Sequence, residues 1–82
     1  MNRQIILKQL NEIFNDTLDQ DNIDLKENTS AADVKDWDSL SHIQLIVAIE
    51  RRFKLRFKTA EISNFKNVGE MIDAILLKTT PV

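Results

Sequence analysis

The stretch that decides the fold is Asp36-Trp37-Asp38-Ser39-Leu40-Ser41-His42-Ile43-Gln44-Leu45-Ile46-Val47-Ala48-Ile49-Glu50-Arg51-Arg52-Phe53-Lys54. Asp38 is a strong helix-capping residue that also places negative charge at the positive end of a helix dipole, so a helix is predicted to start at Ser39 and run to about Lys54. Projected at about 100° per residue from Ser39, Leu45, Ile46, Ile49 and Phe53 share one arc, which is the predicted core face. Leu40, Ile43 and Val47 form a second arc on the side where Ser39 and Glu50 project, with Gln44 and Arg51 at its border. Two readings of that second stripe stand. It is buried against a neighbouring helix, or it is partly exposed and docks partners, since exposed apolar patches with polar rims mark interaction sites.

Working outward, Asn2 is a plausible N-cap, and Ile6, Leu10, Ile13 and Phe14 follow steps of three and four, joined by Leu7 and Leu18, so a first helix is predicted over Arg3 to Thr17. Between the two helices, Asp19 to Asp38 is acidic and interrupted by Asn28, Thr29 and Ser30. It reads as a long loop pinned by Ile23, Leu25, Val34 and Trp37, because loops of this length are uncommon unless functional or disordered and the apolar anchors argue against disorder. Thr59 with Glu61 starts a short helix through Asn64. Asn67 followed by Glu70 resembles a capping box before Val68, Met71, Ile72, Ile75 and Leu76, which repeat at helical spacing. One glycine and one proline leave little punctuation for strands and turns. The predicted fold is all-α, a small three-to-four-helix bundle with a long loop between helices one and two, forming a single domain over residues 1–82.

Composition narrows function. Folding 82 residues removes only roughly 60% of the unfolded chain's surface from water, which leaves little room for a multi-part active site beside a full core. With no cysteine and one histidine, thiolate zinc sites, disulfide staples and histidine-rich metal centres are excluded, and no metal ligand set is expected. No apolar run approaches the roughly 18 residues of a membrane span and the N-terminus lacks a signal-peptide layout, so a cytoplasmic protein without membrane insertion is expected. The formal charge of −2 argues against a nucleic-acid partner, but it conceals an acidic first half and a basic segment in which Arg51, Arg52, Lys54, Arg56 and Lys58 follow one another closely.

Asp-Ser-Leu alone is an ordinary helix start. Its setting, after a loop of some twenty residues and before a two-striped helix, a short helix and a capped last helix, resembles the acyl carrier protein family over nearly the whole chain. The residues from Asp36 to Glu50, then Phe53 to Phe57, carry the resemblance, and Val68-Gly69-Glu70 resembles the start of the family's last helix. The resemblance implies that Ser39 is esterified with 4′-phosphopantetheine, delivered from coenzyme A by a phosphopantetheinyl transferase, and that the arm's thiol carries an acyl group as a thioester. It implies further that Asp38 belongs to the motif recognised by the transferase, and that Leu40, Ile43, Val47, Glu50 and Arg51 lie on the face met by acyl-loading and acyl-processing enzymes. Such a carrier is not itself an enzyme, and a monomer is expected. An exposed hydroxyl at a helix N-terminus, with the dipole and free backbone N–H groups beside it, suits a phosphodiester, and a thiol that arrives with the cofactor explains why no cysteine is needed.

The basic segment behind Glu50, and Gln44 where an acid is common, depart from the acidic second helix of fatty-acid carriers and disfavour partners with basic docking patches, while the Trp37-Asp38-Ser39-Leu40 form resembles carriers of dedicated pathways such as polyketide-like, lipid-modifying or cell-envelope sugar biosynthesis. No Gly-Gly pair precedes the serine, so a peptidyl carrier is disfavoured. An aminoacyl carrier of the same fold and a non-carrier helical interaction module are the alternatives. A third reading takes Asp38, Ser39 and His42 as a local nucleophile set, since residues three apart on a helix can meet. Against it, His42 reads more simply as a surface residue near the core edge.

Overall fold

The computed structural model describes residues 2–79. Four helices succeed one another: α1 (Arg3–Thr17), α2 (Ser39–Phe53), α3 (Thr59–Asn64) and α4 (Val68–Thr79), with a single 3-10 turn (Ala31–Asp33) in the loop between α1 and α2. There is no strand among the described residues, and no helix is long and apolar enough to cross a membrane. α1 packs against both α2 and α4. The predicted stripes supply the core: Ile6, Leu10, Ile13 and Phe14 from α1, Leu45, Ile46, Ile49 and Phe53 from α2, and Val68, Met71, Ile72 and Ile75 from α4 are all buried. Phe57 is buried beside them, and Ile62 of α3 packs at their edge with Phe65 just beyond.

Each helix starts where a side chain can satisfy its first amides. Asn2 Oδ1 accepts from the Ile5 N–H at 2.9 Å at the head of α1. Asn67 Oδ1 accepts from the Glu70 N–H at 2.9 Å at the head of α4, while the Glu70 carboxylate reaches back to the Lys66 N–H at 3.0 Å, one residue earlier than the capping box predicts. α2 stops one residue short of the predicted end. Lys54 takes a left-handed conformation (φ 56°) and its N–H donates to Glu50 O, so it closes the helix without the glycine that usually occupies such a site.

The long loop is held as a tethered strap. On α1, Asn11 Oδ1 accepts from the Leu25 N–H at 2.7 Å, and Asn15 Oδ1 accepts from the Ile23 N–H at 2.9 Å while its amide donates to Ile23 O at 3.3 Å. Two asparagines one helical turn apart thus give the loop the backbone partners a neighbouring strand would have provided. Leu25 and Trp37 are buried, and Ile23 and Val34 pack at the margin of the core. The 3-10 turn was not predicted. Its signature is Ser30-x-x-Asp33, with the Asp33 carboxylate accepting from the Ser30 N–H at 3.0 Å.

The lone glycine lies where this strap crosses α4. The Val68 and Gly69 N–H groups donate to Thr29 O and Glu27 O at 2.9 and 2.7 Å, so loop carbonyls cap the helix. A Cβ on Gly69 would lie 2.9 Å from Glu27 O, closer than a carbon and a backbone oxygen can approach. Arg3 fastens the same corner by pairing with Glu27 and Asp73. Gly69→Ala is therefore expected to destabilise the protein by about 1 kcal/mol, overpacking of about 1–3 kcal/mol being partly offset by alanine's better helix propensity. Denaturant unfolding reads the net loss. Faster amide exchange at Val68 and position 69 than elsewhere in α4 places it at the crossing.

Candidate functional site

At the end of the strap the chain turns sharply. Asp36 adopts a left-handed conformation (φ 70°), which aspartate tolerates better than most residues, and this reversal sends Trp37 inward while Asp38, Ser39 and Leu40 face solvent. Trp37 is only 6% exposed and meets Phe14 edge to face, ring centroids 4.9 Å apart. It anchors the loop, as its large apolar area requires.

The head of α2 is held by reciprocal bonds. Asp38 Oδ1 accepts from the Leu40 and Ser41 N–H groups at 3.0 and 2.9 Å, and Ser41 Oγ in return accepts from the Asp38 N–H at 2.8 Å and donates to Asp36 O at 2.7 Å. Ser41 is buried, 8% exposed, and its hydroxyl is consumed by this network. Ser39, two residues earlier, is exposed in the first helical position. The first-turn amides of Leu40 and Ser41 are occupied by Asp38. The free backbone N–H groups expected beside a phosphodiester on Ser39 therefore do not include these two.

The bonds from Ser41 and Leu40 favour the ionised carboxylate, so the Asp38 carboxyl lies below its usual range, with the Ser41 N–H the main cause. Its stabilisation is full above the unfolded-state value of about 3.9 and is lost as pH falls through the lower folded-state value. Accordingly Asp38→Asn is expected to melt below the wild type at pH 7, with the gap narrowing as pH falls below about 4. Parallel thermal scans of the two proteins check this.

His42 corrects its sequence reading. Rather than a simple surface residue, it is half buried and both ring nitrogens are engaged: the Trp37 indole N–H donates to Nδ1 at 3.0 Å, and Nε2 lies 2.9 Å from Ile62 O. An indole nitrogen only donates, so Nδ1 accepts and Nε2 carries the proton given to Ile62 O. The Trp37 and His42 ring planes are inclined by 20° to each other, ring centroids 6.1 Å apart. The histidine thus joins the loop anchor to α3, with Phe65 on its far side at 6.5 Å. Its proton acceptor is turned to the indole, which removes it as a base for Ser39 and argues against the nucleophile reading.

The second stripe of α2 faces outward. Leu40, Ile43 and Val47 are 73%, 52% and 42% exposed, which resolves the two readings in favour of an uncovered face. Arg51 continues this exposed side. Glu50 differs from its neighbours: it is half buried, and its Oε2 accepts from the Phe57 N–H at 2.9 Å, holding the linker between α2 and α3. No group of three or more histidine, cysteine or carboxylate residues among the described residues could hold a metal ion.

The four-helix bundle thus leaves Ser39 exposed at the head of a capped helix. The phosphopantetheine attachment site family matches residues 8–75. The fold is similar to that of holo acyl carrier protein from Geobacter metallireducens, solved by solution NMR, with a TM-score of 0.81 and 43% identity over 88% of this chain and 83% of that one. Acyl carrier proteins of Acidothermus cellulolyticus and Myxococcus xanthus are 35% and 30% identical to it, covering 92% and 89% of this chain and 89% and 92% of theirs. The chain belongs to the acyl carrier protein family and carries covalently attached 4′-phosphopantetheine.

Proposed function

We propose that Ser39 is the attachment residue, and that the chain presents acyl groups to the loading and processing enzymes of a dedicated biosynthetic pathway through the face formed by Leu40, Ile43, Val47 and Arg51. The observation that carries the assignment is the contrast between two serines in one helical turn. Ser41 is buried with its hydroxyl engaged on both sides, whereas Ser39 is exposed beside it. Asp38 holds the turn that presents Ser39, so a transferase meets a hydroxyl on a rigid support. When bound, the arm supplies a thiol that holds the acyl group as a thioester. The protein supplies the anchor, the docking face and no catalytic group, consistent with carriers of this family not being enzymes.

Incubation with coenzyme A and a promiscuous phosphopantetheinyl transferase tests the assignment. Intact-mass analysis is expected to show one phosphopantetheine added, with peptide mapping placing it on Ser39. No mass gain, or a gain mapped to another residue, overturns it.

Docking is tested on the exposed stripe. Ile43→Glu inserts a charge at the middle of the apolar face and is expected to slow acyl transfer to cognate enzymes at least about tenfold, the scale of a central interface residue. Because Ile43 is half exposed, helix content by circular dichroism and the melting temperature are expected to change little. A collapse of the fold would assign Ile43 to the core instead.

A further inference from the structure

The cations behind the apolar stripe are not evenly neutralised. Arg52 pairs with Glu12 of α1 at 3.1 Å, while Lys58, at the head of α3, has no ion pair among the described residues, Glu61 accepting from its backbone N–H and pairing with Lys78. Arg51, Lys54 and Arg56 have no ion pair among the described residues, and all three are exposed. With Val47 and Leu55 they line one surface hollow at the end of α2, so the cationic group begins where the exposed stripe ends. The acid in that hollow is Glu50, one of whose oxygens is taken by the Phe57 N–H. At the opposite end of the helix Ser39 sits about 18 Å away, from twelve residues at 1.5 Å each. Gln44, between the two ends, is neutral.

Resting on the docking reading above, we infer that the carrier's partner is a protein whose docking surface combines an apolar patch, laid on Leu40, Ile43 and Val47, with acidic side chains that meet Arg51, Lys54 and Arg56. Charge complementarity sets the sign. A basic partner surface would face three cations set against the single carboxylate of Glu50, and like charges brought together penalise the complex, while opposite ones speed encounter and fix register. The apolar stripe sets the class of partner, because a polyanion such as nucleic acid would leave Leu40, Ile43 and Val47 uncovered.

The test uses two synthetic amphipathic helical peptides with the same leucine face, one bearing glutamate and the other lysine on the polar face. Each is titrated into isotope-labelled protein and followed by amide chemical shifts. The glutamate peptide is expected to move residues 40, 43, 47, 51, 54 and 56 and to bind about tenfold tighter than the lysine peptide, which is what three solvent-screened charge pairs supply together. The preference should shrink in about 0.5 M salt. The double variant Arg51→Glu, Arg56→Glu should reverse it. Equal affinities, preference for the lysine peptide, shifts confined to other surfaces, or no binding at all would overturn the inference. So would phosphatidylglycerol vesicles that bind the wild type but not the double variant in the absence of peptide preference, since the cations would then serve a membrane. Mass gain at Ser39 is scored on the same preparation, so failure of the attachment reading is seen separately.

Discussion

Ser39→Ala is expected to abolish phosphopantetheine loading completely while leaving the melting temperature within about 4 °C of the wild type, because surface substitutions away from structural features change stability by less than about 0.5 kcal/mol. The loss is total because an ester needs a hydroxyl, and the serine nearest in sequence cannot replace it. Ser41 Oγ accepts from the Asp38 N–H and donates to Asp36 O from a buried position. Ser41→Ala should show the opposite phenotype. It leaves the Ser39 hydroxyl in place but removes the partner of the Asp38 N–H and the Asp36 carbonyl in a part-buried site, at a cost of about 1 kcal/mol. Any residual loading of Ser41→Ala should therefore map to Ser39. Intact mass and thermal unfolding, measured on both variants, separate attachment from support. A loaded Ser39→Ala protein would refute the assignment.

The backbone of this fold was legible because each helix declares itself twice, by a cap and by a stripe. Asn2 with Ile6, Leu10, Ile13 and Phe14 marks α1 without ambiguity, and the structure places that helix over Arg3–Thr17 as predicted. The core face of α2 was equally clear. Its second stripe was not, because periodicity says that Leu40, Ile43 and Val47 share a side but not whether another helix covers that side. Coverage depends on the packing of α1 and of the short α3, which leaves them exposed.

Apart from the 3-10 turn at Ser30-x-x-Asp33, the parts that escaped depend on partners outside their own helix. Asn11 and Asn15 read as ordinary polar positions on a helix, yet they clamp Leu25 and Ile23 from eight and more residues away. Glu50 reads as a surface acid, yet it reaches the Phe57 amide across the helix end. Gly69 carries a backbone crossing that becomes visible only when the loop is laid over α4. A single sequence gives the chemical type of such residues and not the partner.

His42 belongs to the same group and leads to the second large effect. Trp37→Ala is expected to cost about 3–5 kcal/mol, the range for deleting a large buried aromatic side chain. Three losses coincide. The indole leaves a cavity beside Phe14, the apolar anchor of a twenty-residue loop disappears, and His42 Nδ1 loses its donor in a half-buried position. A chain of 82 residues has a total stability of only about 4–12 kcal/mol, so the variant should be partly unfolded at 37 °C or melt far below the wild type. Circular dichroism measures this, since the substitution removes the only tryptophan and with it the intrinsic fluorescence signal. Trp37→Phe separates the terms. It retains most of the packing against Phe14 but removes the N–H, so it should recover much of the loss and leave a deficit of about 1–3 kcal/mol from the unpaired ring nitrogen. If His42→Ala in the Trp37→Phe background costs much less than in the wild type, the two rings act as a pair, with the coupling given directly by the double-mutant cycle. Additive costs would instead make His42 a support for Ile62 O alone. The link matters to the carrier because Trp37 stands two residues before Ser39 and His42 three after it, and their bond fastens both sides of the turn that presents the hydroxyl.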